Sequence, residues 1–521
     1  MHKLKMKHGI LFLSVILVFI ILAGCAGNKN DASSGPSSAA PSASSDTGSN
    51  ASNEPGEKEL EPYDLTMVIP IFGTIPKDLG KIQDAVNKIT QAKINTTVTV
   101  EMINIGNYLQ QLNLKYSSGD KLDVAFIFGQ LFANYTAQGR FQEIGDLVKE
   151  YGEGLTEAVG EKYVNVPTVN GKLYGLPIAS ISGSSTGYLM RKDIVDKYNI
   201  DLSSIKTYDD VDKILKIVKE NEPTLIPLAE SSGLNPVNVG SYGDFDSLTN
   251  FVVLPMDSTD YKVENRYATQ IYADRVKMAR KWFEAGYVNK DAATTNQLAS
   301  DLVRDGKAFS YFARLVPTSI MDDSLKNGHE MVGVSLSPNY VTTEEVTTGL
   351  WTVAHQSEDP ARAMMFLDLL YTDKDLANLL VFGIEGEDYV KVSDNIVTYP
   401  EGKDASTVGY NLQGSSWVLG NPKLLYLSEN EDPTKWEKVQ KWQEGAIPSR
   451  SLGFTFDEAA VKDEVTSINN ALNQYQNGLE TGTLNPDKEL PKFLDKLKSA
   501  GIDKYLAEVQ KQLDEWVAAN K

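Results

Sequence analysis

Cysteine occurs once in this chain of 521 residues, at Cys25, so no disulfide can close within it. Histidine is nearly as scarce, with four residues. There is no H-E-x-x-H pattern and no D-x-[DN]-x-[DN]-G loop, so the usual sequence signs of zinc and calcium sites are missing, and no metal or cofactor is expected. A G-x-x-x-x-G-K-[ST] phosphate cradle is also missing. Positive charge is short: 50 Lys and Arg against 70 Asp and Glu leave a formal charge of −20. Such a surface repels nucleic-acid phosphates and anionic lipid, which excludes a nucleic-acid partner. Long apolar runs are absent past the amino terminus. The one near the start, Ile10 to Leu22, covers about 20 Å as a helix, short of the roughly 30 Å hydrocarbon core of a bilayer.

That run follows Lys3, Lys5 and Lys7 and ends in small residues, the order of an export signal. Leu22-Ala23-Gly24-Cys25 resembles the lipobox of bacterial lipoproteins. The resemblance implies that residues 1–24 are removed, that Cys25 carries a diacylglyceryl group, and that the protein is held on the outer face of the cell membrane. Two acyl chains suffice where one binds only marginally. Residues 25–61 follow as a lipidated cysteine and a Ser-, Ala-, Gly- and Pro-rich linker with no aliphatic residue before Leu60. Too little apolar area is available there to offset chain entropy, so a flexible tether of about 30 to 36 Å is expected.

The remainder is long enough for two domains. "DLTMVIPIFG", "TTVTVEMI" and "KLDVAFIFG" read as strands. Leu79, Ile82, Val86 and Ile89 have helical spacing between the first two, and "GNYLQQLNLKYSSGD" is helical between the second and third. The alternation implies a mainly parallel α/β sheet with ligands at the carboxyl ends of its strands, where "FGTIP" and "FGQLF" form loops. A second alternating set contains the strand-like Tyr188 to Arg191, the amphipathic "TYDDVDKILKIVKENEP" and the strand "AFSYFARLV". From Phe456 the chain is helical, with Ile502, Tyr505, Leu506, Val509, Leu513 and Trp516 on one stripe.

"VNGKLYGLPIAS", "LMRKDIVDKYNI", "AFSYFARL" and "TTGLWTVAHQSEDPARAMMFLDLLYTD", in this order, resemble the extracellular solute-binding proteins of carbohydrate ABC importers. The stretch from "GFTFDEAAVKDEV" to "KQLDEW" is similar to the carboxyl-terminal region of a Gram-positive subfamily of these lipoproteins. The resemblance implies a two-lobed, type II periplasmic-binding-protein-like α/β fold with a helical carboxyl-terminal region. It places one lobe at 62–180 plus 308–372 and the other at 181–307 plus 373–521, with chain crossings near "IASIS", "GKAFS" and "YTDKD". It further implies a monomer that closes on an oligosaccharide and delivers it to membrane permease subunits, with no catalysis of its own.

A sugar cleft needs aromatic platforms and polar side chains that pair with hydroxyls. Trp351 and Trp417 lie in Gly-flanked loops, where they either line the cleft or pack in the core. Phe72, Phe128 and Gln130 follow the first and third strands at the expected ligand edge, or are ordinary turn residues. Tyr188 would face the cleft in the family arrangement. Asp244 and Arg314 either clamp hydroxyls or an acidic sugar, or form structural ion pairs. Asp123, just before a buried strand, reads as structural.

Two other function classes stay open at this level. "GSSTG", Gly183 to Gly187, matches G-x-S-x-G and would make Ser185 the nucleophile of an esterase, but the motif needs a helix directly after it, and "YLMR" is strand-like. A surface glycosidase needs two spaced carboxylates, and no pair stands out among 70 acids. A sensory or adhesion lipoprotein would use the same closing cleft to signal to a receptor.

Overall fold

The computed structural model describes residues 60–180, 183–231, 233–295 and 297–521; residues 1–59, with the export segment, Cys25 and most of the linker, lie outside them. No helix among the described residues is long and apolar enough to cross a membrane. The strands that organise the fold are β1 (Tyr63–Ile71), β2 (Thr96–Asn104), β3 (Val124–Phe128), β4 (Leu176–Pro177), β5 (Ser185–Arg191), β6 (Ile226–Leu228), β7 (Ala308–Leu315), β8 (Met331–Ser335) and β9 (Gly349–Val353). They form two sheets, one per lobe, in the orders β2-β1-β3-β9-β4 and β8-β5-β7-β6.

In the first lobe β1 pairs in parallel with β2, from Tyr63 opposite Thr96 to Ile71 opposite Asn104, and with β3 on its other side. Covered on both faces, β1 reads as a continuous apolar run, and Leu65, Met67 and Val68 are fully buried. The helix Leu79–Ile94 turns Ile82, Val86, Thr90 and Ile94 inward at steps of four, with Leu79 and Ile89 packed at its flanks. Asp123 is buried before β3, where its carboxylate accepts from Tyr63 Oη at 2.5 Å, Thr66 N at 2.8 Å and Ser357 Oγ at 2.6 Å. Burial and then this carboxylate push the Tyr63 phenol up to about 12.

The expectation of parallel pairing holds for β1 to β3 and for β6 with β7. β9 is antiparallel to β3 and to β4, and β5 is antiparallel to both β7 and β8. β9 enters its sheet from the other lobe rather than through a covering helix, so nothing constrains it to run parallel.

Two of the expected crossings are corrected. The resemblance places β7 in the first lobe from Ala308, yet it pairs with β5 from Ser310 opposite Met190 to Leu315 opposite Ser185, and with β6 on its other edge. The chain therefore leaves the second lobe after β8 and enters the first sheet at β9. The last crossing lies beyond 373: Leu376, Leu380, Phe382, Tyr410, Val418 and Tyr426 share a core with Leu65 and Phe366. Phe454 and Phe456 join the second lobe's core, with Phe251, Tyr272, Tyr505 and Leu513. The helices Lys462–Glu480, Pro486–Ser499 and Ile502–Asn520 complete the expected helical carboxyl-terminal region.

The three crossings lie side by side. Ser184 and Tyr340 exchange backbone hydrogen bonds at 2.9 Å each, and Tyr340–Val341 pairs in parallel with Ile447–Pro448. Gly183 enters this seam at φ +71°, where a Cβ would stand 2.8 Å from the Tyr340 carbonyl, so glycine alone fits.

Candidate functional site

The carboxyl ends of β1 and β3 meet the start of β9 at one edge of the first sheet, with Gly349 opposite Phe128. Phe72, just past β1, donates its backbone N–H to Ser415 Oγ at 2.9 Å, which ties that edge to the turn Gln413–Val418 carrying Trp417. The Trp417 ring centroid lies 5.5 Å from Phe72, 5.6 Å from Phe126 and 6.4 Å from Phe128. Phe72 and Trp417 remain 39% and 38% exposed, an apolar shelf left open to water. Gly129 permits this arrangement, since a Cβ there would fall 2.1 Å from the Thr347 carbonyl.

Beside the shelf is a cavity of about 180 Å³. Trp417 and Gly349 wall it from the first lobe and Arg314, on β7, from the second; Ser180, Glu345 and Val346 come from the crossings. Glu345 sits on the short helix Thr343–Val346, with its side chain 6% exposed. Its carboxylate accepts from Arg314 Nη2 and from Ser184 Oγ, so it binds the second lobe to the first crossing. Such a charge-assisted pair holds geometry as much as it adds energy. A smaller cavity shares Glu345 and is lined by Ser241, Tyr242 and Glu344. Glu344 is itself exposed, yet the concave protein wall around it removes solvent; that loss, and then the charge of Glu345, push its carboxyl above the ordinary carboxylate value.

The structure brings Phe72, Phe128, Trp417 and Arg314 to this region. Four other residues named from sequence lie elsewhere. Trp351 is fully buried at the middle of β9, its ring 6.0 Å from Phe126 and its Nε1 donating to the Val418 carbonyl at 3.0 Å. Tyr188, at the centre of β5, is also fully buried, 5.2 Å from Phe312. Neither offers a face to a ligand, because each is covered on both sides by its own lobe. Asp244 spends both carboxylate oxygens on Arg275, at 3.0 and 3.1 Å, and is a structural ion pair. Gln130 lies in the first turn of the helix Gly129–Ala137 rather than in a loop, exposed and off both cavity walls. Cys25 lies outside the described residues.

Glu345 and Tyr242 were missed because neither sits in a motif; Ser180 and Thr348, which also line the larger cavity, lie inside family-like stretches, but nothing local marks them, since their approach depends on long-range strand pairing. Ser184 was visible only as an unassigned position inside the hydrolase-like pattern. Ser185 itself is fully buried within β5 and accepts from Ser335 Oγ at 2.7 Å, so the strand–turn–helix geometry of that pattern is not formed.

Two lobes with strand-built crossings and a cavity walled from both are the architecture of the two-lobed solute-binding proteins. The chain belongs to the bacterial extracellular solute-binding protein family, whose model matches residues 77–377; residues 450–518 match a domain of unknown function. A carbohydrate ABC transporter substrate-binding protein of Streptococcus pneumoniae is 30% identical, covering 86% of this chain and 90% of its own length. A polygalacturonan/rhamnogalacturonan-binding protein of Bacillus subtilis is 26% identical, over 84% of this chain and 88% of its own. The crystal structure of the N-glycan transport solute-binding protein NgtS from S. pneumoniae superposes with a TM-score of 0.78 at 28% identity, covering 88% of this chain and all of that one. Against the same protein in complex with Man5GlcNAc the score is 0.68.

Proposed function

We propose that the protein captures an oligosaccharide between its lobes and hands it, as a monomer held to the outer face of the cell membrane by lipid on Cys25, to the permease of an ABC importer. The observation that carries this reading is the cavity itself: its walls come from both lobes and the crossings, beside the open shelf of Phe72 and Trp417. Sugar rings present apolar faces to such a shelf and hydroxyls to Arg314, Glu345 and Ser180. A ligand touching both lobes favours the arrangement in which they are closest, so binding shifts a population of lobe positions. The lower similarity to NgtS with glycan bound than to the other NgtS structure is in keeping with lobes that move.

Thermal unfolding of the full chain in mild detergent, against a panel of oligosaccharides, tests the reading. A bound sugar at a hundred times its Kd adds about 2.7 kcal/mol of stability. No shift with any sugar, or turnover of the sugar during incubation, rejects it.

A further inference from the structure

The charged side chains on the two cavity walls are Arg314, Glu344 and Glu345. The one cation among them is already engaged: Arg314, 36% exposed, gives Nη2 to the nearly buried Glu345. Ser184 donates to the same carboxylate, which holds the pair in place from the first crossing. Glu344 adds a second carboxyl next to Glu345. These walls therefore carry more acid than base, on a chain whose formal charge is −20.

We infer that the cleft selects neutral oligosaccharides and rejects uronate chains, and that Glu345 sets this choice. The inference rests on the oligosaccharide reading above. A uronate carboxylate entering a confined site needs an unpaired cation, and here it would meet Arg314 only in competition with Glu345 and beside Glu344. Like charges brought together away from bulk water give discrimination by repulsion. A neutral sugar makes no such demand, since its hydroxyls both donate to carboxylates and accept from the guanidinium N–H groups that Glu345 leaves unused. The relatives stand on both sides of this choice, one named for the polyanion polygalacturonan and the other seen with Man5GlcNAc, so family membership does not decide it.

Calorimetric titration of the full chain in mild detergent with Man5GlcNAc and with pentagalacturonate provides the test. Man5GlcNAc is expected to bind at least tenfold more tightly at low salt. Raising salt toward 1 M, where screening acts over about 3 Å, should improve pentagalacturonate binding and leave Man5GlcNAc unchanged. The Glu345→Gln variant keeps an oxygen for Arg314 and turns its NH2 toward Ser184 Oγ, which can accept, while it frees the positive charge, so the ratio of pentagalacturonate to Man5GlcNAc affinity should rise at least tenfold. Equal or tighter pentagalacturonate binding by the unaltered chain, or its weakening by salt, overturns the inference and leaves the oligosaccharide reading intact. An unchanged ratio of pentagalacturonate to Man5GlcNAc affinity in a folded Glu345→Gln chain overturns the role of Glu345. Failure of every saccharide to bind overturns both readings together.

Discussion

Phe126 touches two tryptophans that do opposite work. Trp351 is fully buried and closes the core; Trp417 shows more than a third of its surface. Trp351→Ala should therefore cost about 3–5 kcal/mol in urea unfolding through the cavity it leaves. Trp417→Ala should cost less, about 1–2 kcal/mol from its lost ring contacts, and weaken oligosaccharide binding at least tenfold by calorimetry. The two residues have similar Gly-flanked contexts in sequence, and no local pattern separates them; the difference arises because Trp351 is inside a central strand and Trp417 on a turn above the sheet edge. Glu230 shows a different kind of cost. It is fully buried, neither carboxylate oxygen has a partner among the described residues, and burial holds its carboxyl well above the ordinary value of 4.5. The folded chain thus binds this proton more tightly than the unfolded chain, and its contribution falls as pH rises from about 4.5 through the raised native value. Glu230→Gln should remove that loss: its stability advantage over the unaltered chain, read from denaturation midpoints, should grow from pH 5 to pH 8.

At the scale of elements, the crossings decide what moves. Their backbone pairing, Ser184 with Tyr340 and Val341 with Pro448, ties three distant stretches into one small seam. Gly183→Ala at φ +71°, with its new Cβ against the Tyr340 carbonyl, should destabilise the fold by about 1–3 kcal/mol in urea titration. Full recovery of wild-type stability in that variant would show that the seam is looser than its geometry implies. Individual strands and helices were legible because periodicity is local: the stripes on Leu79–Ile94 and Ile502–Asn520 follow from spacing alone. The second and third crossings were not, because "AFSYFARLV" reads as the same strand in either sheet. Its partner, β5, is more than a hundred residues away, and pairing at that range leaves no trace in the strand's own pattern.

For the whole molecule, two lobes and one cleft predict a change of size on binding. A compact unit the length of residues 60–521 has a radius of gyration of about 23 Å. Solution scattering should show a smaller value when a tight-binding oligosaccharide is added and no change with a sugar that does not bind. The class of fold was readable from the order of motifs along the chain, while the charge of the cleft was not, because Arg314, Glu345 and Ser184 meet only once the chain has reached its second crossing, with a third still to follow. That threefold linkage has a consequence for how the protein comes apart. A protease nick in any one crossing would leave the lobes joined covalently by two others, so neither lobe is a detachable module. Each is finished only when the chain has returned to it, and the carboxyl-terminal helices, last to be synthesised, complete a core begun more than two hundred residues earlier by Phe251 and Tyr272.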